Sequence, residues 1–144
     1  MKIVISESQY NRILKEEEKQ KVLRIPSLKF FNDDWFKLQK FMERKGNPPY
    51  SIGGDLDLSG TPIKSLGNLT SVEGNLDLRR TQIKSFGNFQ SVGGDLNLWD
   101  TPIKSLGNLI SVGGFLSLLG TPLSMMYTEK QIRKMVNVDG EIYL

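Results

Sequence analysis

The chain repeats itself, and this constrains it more than any other feature. Four segments align without a gap at a period of 20: SIGGDLDLSGTPIKSLGNLT (Ser51–Thr70), SVEGNLDLRRTQIKSFGNFQ (Ser71–Gln90), SVGGDLNLWDTPIKSLGNLI (Ser91–Ile110) and SVGGFLSLLGTPLSMM (Ser111–Met126). A fifth partial copy, NVDGEIYL (Asn137–Leu144), follows 26 residues after the fourth begins, leaving room for a short helix. Within each copy the xLxLx core alternates, which is the period-two signature of a strand. Leu56 and Leu58, Leu76 and Leu78, Leu96 and Leu98, Leu116 and Leu118, then Ile142 and Leu144 are expected to point inward. Turns stacked by translation must pair their strands in parallel, ~4.8 Å apart. One turn cannot bury enough surface to fold alone, so burial must be shared between neighbours. After each strand, apolar residues recur every third position, as at Ile63, Leu66, Leu69 and Val72. That spacing suits an extended or 3₁₀-like return, with a second strand at Pro62–Leu66 as the alternative.

Positions that stay constant from turn to turn report backbone demands. Gly54, Gly74, Gly94, Gly114 and Gly140 precede each strand, and Gly67, Gly87 and Gly107 sit in the return. Both sets are read as positive-φ or close-approach sites. Asn68, Asn88 and Asn108, with Thr61, Thr81, Thr101 and Thr121, are expected to form hydrogen-bonded ladders between turns.

The pattern LxLxxTxI, as LDLSGTPI and LDLRRTQI, resembles the strand consensus of leucine-rich repeats, with Thr where that family usually has Asn. The wording SVGGDLDLSGTPIKSLGNL and the opening KIVISESQYNRIL also resemble short-repeat proteins encoded by tailed bacteriophages. The resemblance implies an α/β fold: a right-handed parallel β-solenoid of leucine-rich-repeat type with five short parallel strands. It also implies a phage accessory role in the host cytoplasm, engaging or inhibiting a host protein. It brings no catalytic residues with it.

An N-terminal cap over residues 1–50 and a coil over 51–144 follow from the need to cover a stack's apolar ends. Lys2–Ile5 reads as a strand, and Ser6 with Gln9 has capping-box spacing for a helix through about Lys19. Asn32 or Asp33 is expected to cap a second helix, Asp34–Arg44, with Trp35, Leu38, Phe41 and Met42 on the face that covers Leu56, Leu58 and Leu66. Near the other end, Thr128 opens a capping helix with Gln131 at the box position and Ile132 and Met135 facing inward. This helix, or a second copy of the chain, is expected to shield the last strand's edge.

Chemistry is limited by what is missing. The 144 residues include no Cys and no His, which removes thiol nucleophiles, thiolate metal sites and the usual general base near neutral pH. No catalytic, cofactor or metal site is expected. Asp55, Asp57, Asp77 and Asp95 are too few and too splayed for calcium, and Asp55 with Asp57 lies on a face without a pocket. No apolar run approaches ~18 residues, and the polar start does not read as a signal peptide. The net charge of +3 divides as +4 over residues 1–50 (11 basic, 7 acidic), −1 over 51–122 (5 and 6) and 0 over 123–144 (3 and 3). The basic excess therefore belongs to the cap. Lys64, Lys84 and Lys104 form a row that could track phosphates, but no aromatic residues interleave with it, so nucleic acid is a minor alternative.

The expected working surface is the outward strand face. Its rows are Asp55, Asn75, Asp95, Phe115, Glu141; then Asp57, Asp77, Asn97, Ser117, Tyr143; then Ser59, Arg79, Trp99, Leu119, continued by Gly60, Arg80, Asp100, Gly120. Asp57 beside Asp77 is a like-charge pair. Arg79, Arg80, Trp99, Asp100, Phe115, Leu119 and Tyr143 supply the aromatic and arginine content of an interface hot spot. The expected function is a non-enzymatic protein-binding module. A virion or assembly component that self-associates through the terminal sheet edge is the second alternative.

Overall fold

The computed structural model describes residues 6–12 and 21–144. The expected Lys2–Ile5 strand and the first helix beyond Arg12 lie outside the described residues. Residues 7–12 are helical. Ser6 Oγ accepts the Gln9 N–H at 3.2 Å, and Gln9 Oε1 accepts the Ser6 N–H at 2.9 Å.

From residue 21 the chain builds two parallel sheets. β1 (Leu23–Ile25) leads through a 3₁₀ turn (Leu28–Phe31) into α1 (Trp35–Arg44), and β2 (Tyr50–Ile52) follows. β3 (Leu56–Asp57), β4 (Leu69–Val72), β5 (Leu76–Asp77), β6 (Ser91–Val92), β7 (Leu96–Asn97), β8 (Ser111–Val112) and β9 (Leu116–Ser117) come next. The chain then forms α2 (Pro122–Met126), α3 (Glu129–Met135), β10 (Asn137–Val138) and β11 (Ile142–Tyr143). One sheet has the order β1-β2-β4-β6-β8-β10 and the other β11-β9-β7-β5-β3. The register is set by the repeat: Leu56 pairs with Leu76, Leu76 with Leu96, Leu96 with Leu116, and Leu116 with Ile142.

Five strands were expected, but the described residues hold eleven. Each turn contributes two strands because a corner ending in glycine, such as Glu73-Gly74 or Gly93-Gly94, bends the chain between Ser71-Val72-type and Leu76-Asp77-type segments. The alternative strand at Pro62–Leu66 is not formed; that stretch is an irregular return. The every-third residues Ile63 and Leu66 of the return, continued by Leu69 and Val72 of β4, are all buried. They belong to one continuous core with the strand leucines and with Trp35, Leu38 and Met42 of α1, against which Phe41 packs. Leu144 departs from the inward pattern and is 39% exposed, beyond the paired residues of β11.

The caps are corrected in three respects. α1 is capped by Asp34, whose carboxylate accepts the N–H groups of Phe36 and Lys37. Neither expected cap can serve, because Asn32 (φ 55) and Asp33 (φ 56) are left-handed while a cap needs extended backbone. The C-terminal cap is two short helices, not one. They replace the fourth turn's return between β9 and β10, and the second of them meets the terminal edge as expected, through Arg133 bonds to Val138 O and Gly140 O beside β10. Thr128 and Gln131 do form a reciprocal capping box, and Ile132 is buried, but Met135 is 46% exposed. Among the described residues no helix is long and apolar enough to cross a membrane.

Candidate interaction face

The outward positions do different jobs. In the first row, Asp55 Oδ1 accepts the Asn75 N–H, Asn75 Oδ1 accepts the Asp95 N–H, and Asp95 Oδ1 accepts the Phe115 N–H, at 2.8, 2.8 and 2.9 Å. These side chains tie each turn to the next. They also explain one glycine set: a Cβ on Gly74, Gly94 or Gly114 would collide with the Asp55, Asn75 or Asp95 side-chain oxygen respectively. The expected threonine ladder has a different direction. Thr61, Thr81, Thr101 and Thr121 each donate their hydroxyl to the carbonyl three residues back in the same turn. Of the asparagine row, Asn68 donates to Asn47 O, and Asn108 reaches back a turn to Gly87 O.

In the second row, Asp57, Asp77 and Asn97 each accept the N–H two residues on, from Ser59, Arg79 and Trp99. This local turn competes with strand continuation and ends each strand after two residues. It also presents residues 59, 79 and 99 at the corner. The like-charge conflict between Asp57 and Asp77 is relieved by Arg79, whose Nε and Nη2 grip the Asp77 carboxylate at 2.6–2.9 Å. Bonds from Ser59, its hydroxyl first and then its N–H, hold the Asp57 carboxyl below the usual carboxylate range; the Arg79 charge adds to this and slight desolvation opposes it. Ser117, expected to face outward, is buried.

The next slot is left-handed in every complete turn: Gly60 (φ 70), Arg80 (φ 57), Asp100 (φ 56) and Gly120 (φ 71). For Arg and Asp that conformation costs ~1 kcal/mol each, a cost the glycines avoid. Arg80 lies with its guanidinium carbon 4.7 Å from the centre of the Trp99 ring, and its Nε is 3.9 Å from Asp100 Oδ2. The side chains of Arg80 and Asp100 are both 63% exposed, so both remain available to a partner. A shallow depression of about 270 Å³ is lined by Ser59, Gly60, Arg79, Arg80 and Trp99.

The structure thus gathers Arg79, Arg80, Trp99 and Asp100, and brings Leu119 alongside through the Asp100 N–H to Leu119 O bond of 2.9 Å. Trp99 and Leu119 are 38% and 42% exposed. Phe115 and Tyr143 form a separate edge-to-face pair, centroids 5.6 Å apart. Asp57 and Asp77 are committed to holding turns. The stacking of Arg80 on Trp99 was missed in the sequence, although both its residues were named. Its signal was a non-glycine at a slot that two sister turns give to glycine.

Lys64, Lys84 and Lys104 are exposed on the return side. Their neighbours Ser65 and Ser105 accept the N–H groups of Gly67 and Gly107, a turn-forming role. Among the described residues no group of three or more acidic side chains is placed to hold a metal ion.

No family model, no curated protein and no solved structure matches this chain. The resemblance to leucine-rich repeats and to phage-encoded repeat proteins therefore rests on motif wording alone.

Proposed function

We propose that the chain is a non-enzymatic protein-binding module: a right-handed solenoid with turns of leucine-rich-repeat type, docking a partner on the corner formed by Arg79, Arg80, Trp99, Asp100 and Leu119. The observation that carries this reading is Arg80, held across Trp99 from a left-handed backbone conformation that two of its three sister turns assign to glycine. Residues kept at a local cost to stability cluster at functional sites. Rigid aromatic and arginine anchors beside a depression are the composition of interface hot spots. The phage-like wording makes a host cytoplasmic protein the partner class in this reading. Phe115 and Tyr143 form its outer margin.

Recovery of a partner from host lysate by the immobilised chain tests this, with Trp99→Ala and Arg80→Gly as paired variants. Each is expected to weaken recovery by about 30-fold, the ~2 kcal/mol of a hot-spot truncation. Arg80→Gly relieves the left-handed strain, so its melting temperature is expected to hold or rise. Lost binding then cannot be ascribed to unfolding. Unchanged recovery by both variants would remove the corner as the docking surface.

A further inference from the structure

The first sheet ends in a way the repeat does not explain. At each corner two N–H groups bond back to the preceding turn. Gly93 and Gly94 donate to Val72 O and Gly74 O, Gly113 and Gly114 to Val92 O and Gly94 O, and Asp139 and Gly140 to Val112 O and Gly114 O, all at 2.8–3.0 Å. By this pattern Val138 O and Gly140 O are the two acceptors that a further strand would use. Both are filled by one side chain from outside the sheet. Arg133 Nη1 donates to Val138 O and Arg133 Nη2 to Gly140 O, each at 2.9 Å, while Glu129 Oε1 holds Arg133 Nε at 3.1 Å. The planar two-pronged guanidinium suits paired acceptors in a way a lysine does not.

The Asn137 and Asp139 N–H groups both point back to β8, bonding Ile110 O and Val112 O. In a strand the N–H and C=O of one residue point the same way and alternate from residue to residue, so both groups of Val138 face away from the stack. Two such strands related by a twofold axis can exchange a reciprocal pair of bonds, the geometry of an isologous edge-to-edge dimer. The natural occupant of this edge is therefore β10 of a second copy, which needs the Val138 carbonyl that Arg133 occupies. We infer that Arg133 is a built-in stop: it holds the β10 edge closed against pairing with a second copy of this chain.

The test is the mass of the full chain in solution by sedimentation velocity over about a 100-fold concentration range, since self-association responds to concentration. The wild-type mass is expected to stay monomeric. That of Arg133→Ala should climb with concentration toward twofold, and adding Val138→Pro, which deletes the outward N–H, should return it to monomer. A folded Arg133→Ala whose mass stays flat would overturn the inference. So would a wild-type chain that already dimerises through β10. If Arg133→Ala loses its far-UV signal, Arg133→Gln, which keeps the stem but cannot bridge both carbonyls, decides in the same way. Misfolding of both variants would show that Arg133 holds its own turn together instead of guarding the edge.

Discussion

The pairing of Gly94 with Asn75 gives a prediction whose size depends on the background in which it is measured. A Cβ at Gly94 would collide with Asn75 Oδ1 and press within 3.1 Å of the Gly74 carbonyl carbon. Asn75 is exposed and can swing away, but it then releases the Asp95 N–H it holds at 2.8 Å. The lost bond is worth ~1 kcal/mol and the backbone squeeze up to ~1, offset by ~0.5 from restricting the unfolded chain. Gly94→Ala should therefore cost about 1.5 kcal/mol, a fall in melting temperature of ~5 °C for a chain of this size. In an Asn75→Ala background the bond is already gone and the oxygen is absent, so the same substitution should cost about 0.5 kcal/mol. The coupling of about 1 kcal/mol is read by urea unfolding of the two single variants, the double variant and the wild type. Gly87→Ala is the control. Its φ of +58 with nothing within 4 Å of a Cβ predicts ~1 kcal/mol from conformation alone, whether or not Asn75 is present. Additive costs for Gly94 and Asn75 would refute the idea that the glycine exists to admit the side-chain ladder.

Two further predictions concern stability. Thr101 is 2% exposed and donates its hydroxyl to Leu98 O at 2.9 Å; Thr101→Val should cost ~1 kcal/mol by calorimetry, because Leu98 O keeps its bond from the Thr101 N–H. Asp57 and Glu73 are held below their ordinary 3.8 and 4.5, by Ser59 and by Arg24 respectively. Their depressed folded values stabilise the protein fully above about pH 4.5 and cease to do so as pH falls through the folded pKa, so melting temperature should drop on that acid limb. Arg24→Ala should make the drop shallower by lowering the neutral-pH melting temperature by the same small amount, with the acid-side value unchanged, since the exposed Arg24–Glu73 pair adds little and only while Glu73 is ionised.

The stacking was legible because translation by 20 residues places like on like, and Leu56, Leu76, Leu96 and Leu116 then define a register on their own. The second sheet was not, because a strand as short as Ser91–Val92 has no alternation to read. Asn32 and Asp33 carry the right chemistry for a helix cap, but the turn before α1 needs both in the left-handed region. The first-row carboxylates and amides looked like display because they sit on the outer face, yet their oxygens are spent on the next turn's amides. Exposure alone did not separate structural from functional polar groups. Hydrogen-bond direction did. Arg133 carried no signal at all, since its role exists only once β10 is placed relative to α3.

The division of labour among rows explains why the corner, and not the strand, is free to diversify. Row-one side chains must accept a bond from the following turn, and row-two side chains in the first three turns must close the local turn that ends the strand. Residues 59, 79, 99 and 119 contribute their backbone to the stack, as when Arg79 O accepts the Gly60 N–H and Trp99 O the Arg80 N–H. The stack demands no one side-chain type of them, and Ser, Arg, Trp and Leu all serve, although Arg79 and Ser59 also bond the neighbouring Asp77 and Asp57 carboxylates. The row-one demand ceases at Phe115, whose side chain has no acceptor and packs on Tyr143 instead. Apolar display therefore begins where the acceptor ladder ends, and Arg80 carries its guanidinium onto Trp99 in the last turn before that change. A stack built this way can exchange its corner residues for a new partner while its register, held by backbone, leucines and row-one oxygens, stays as it is.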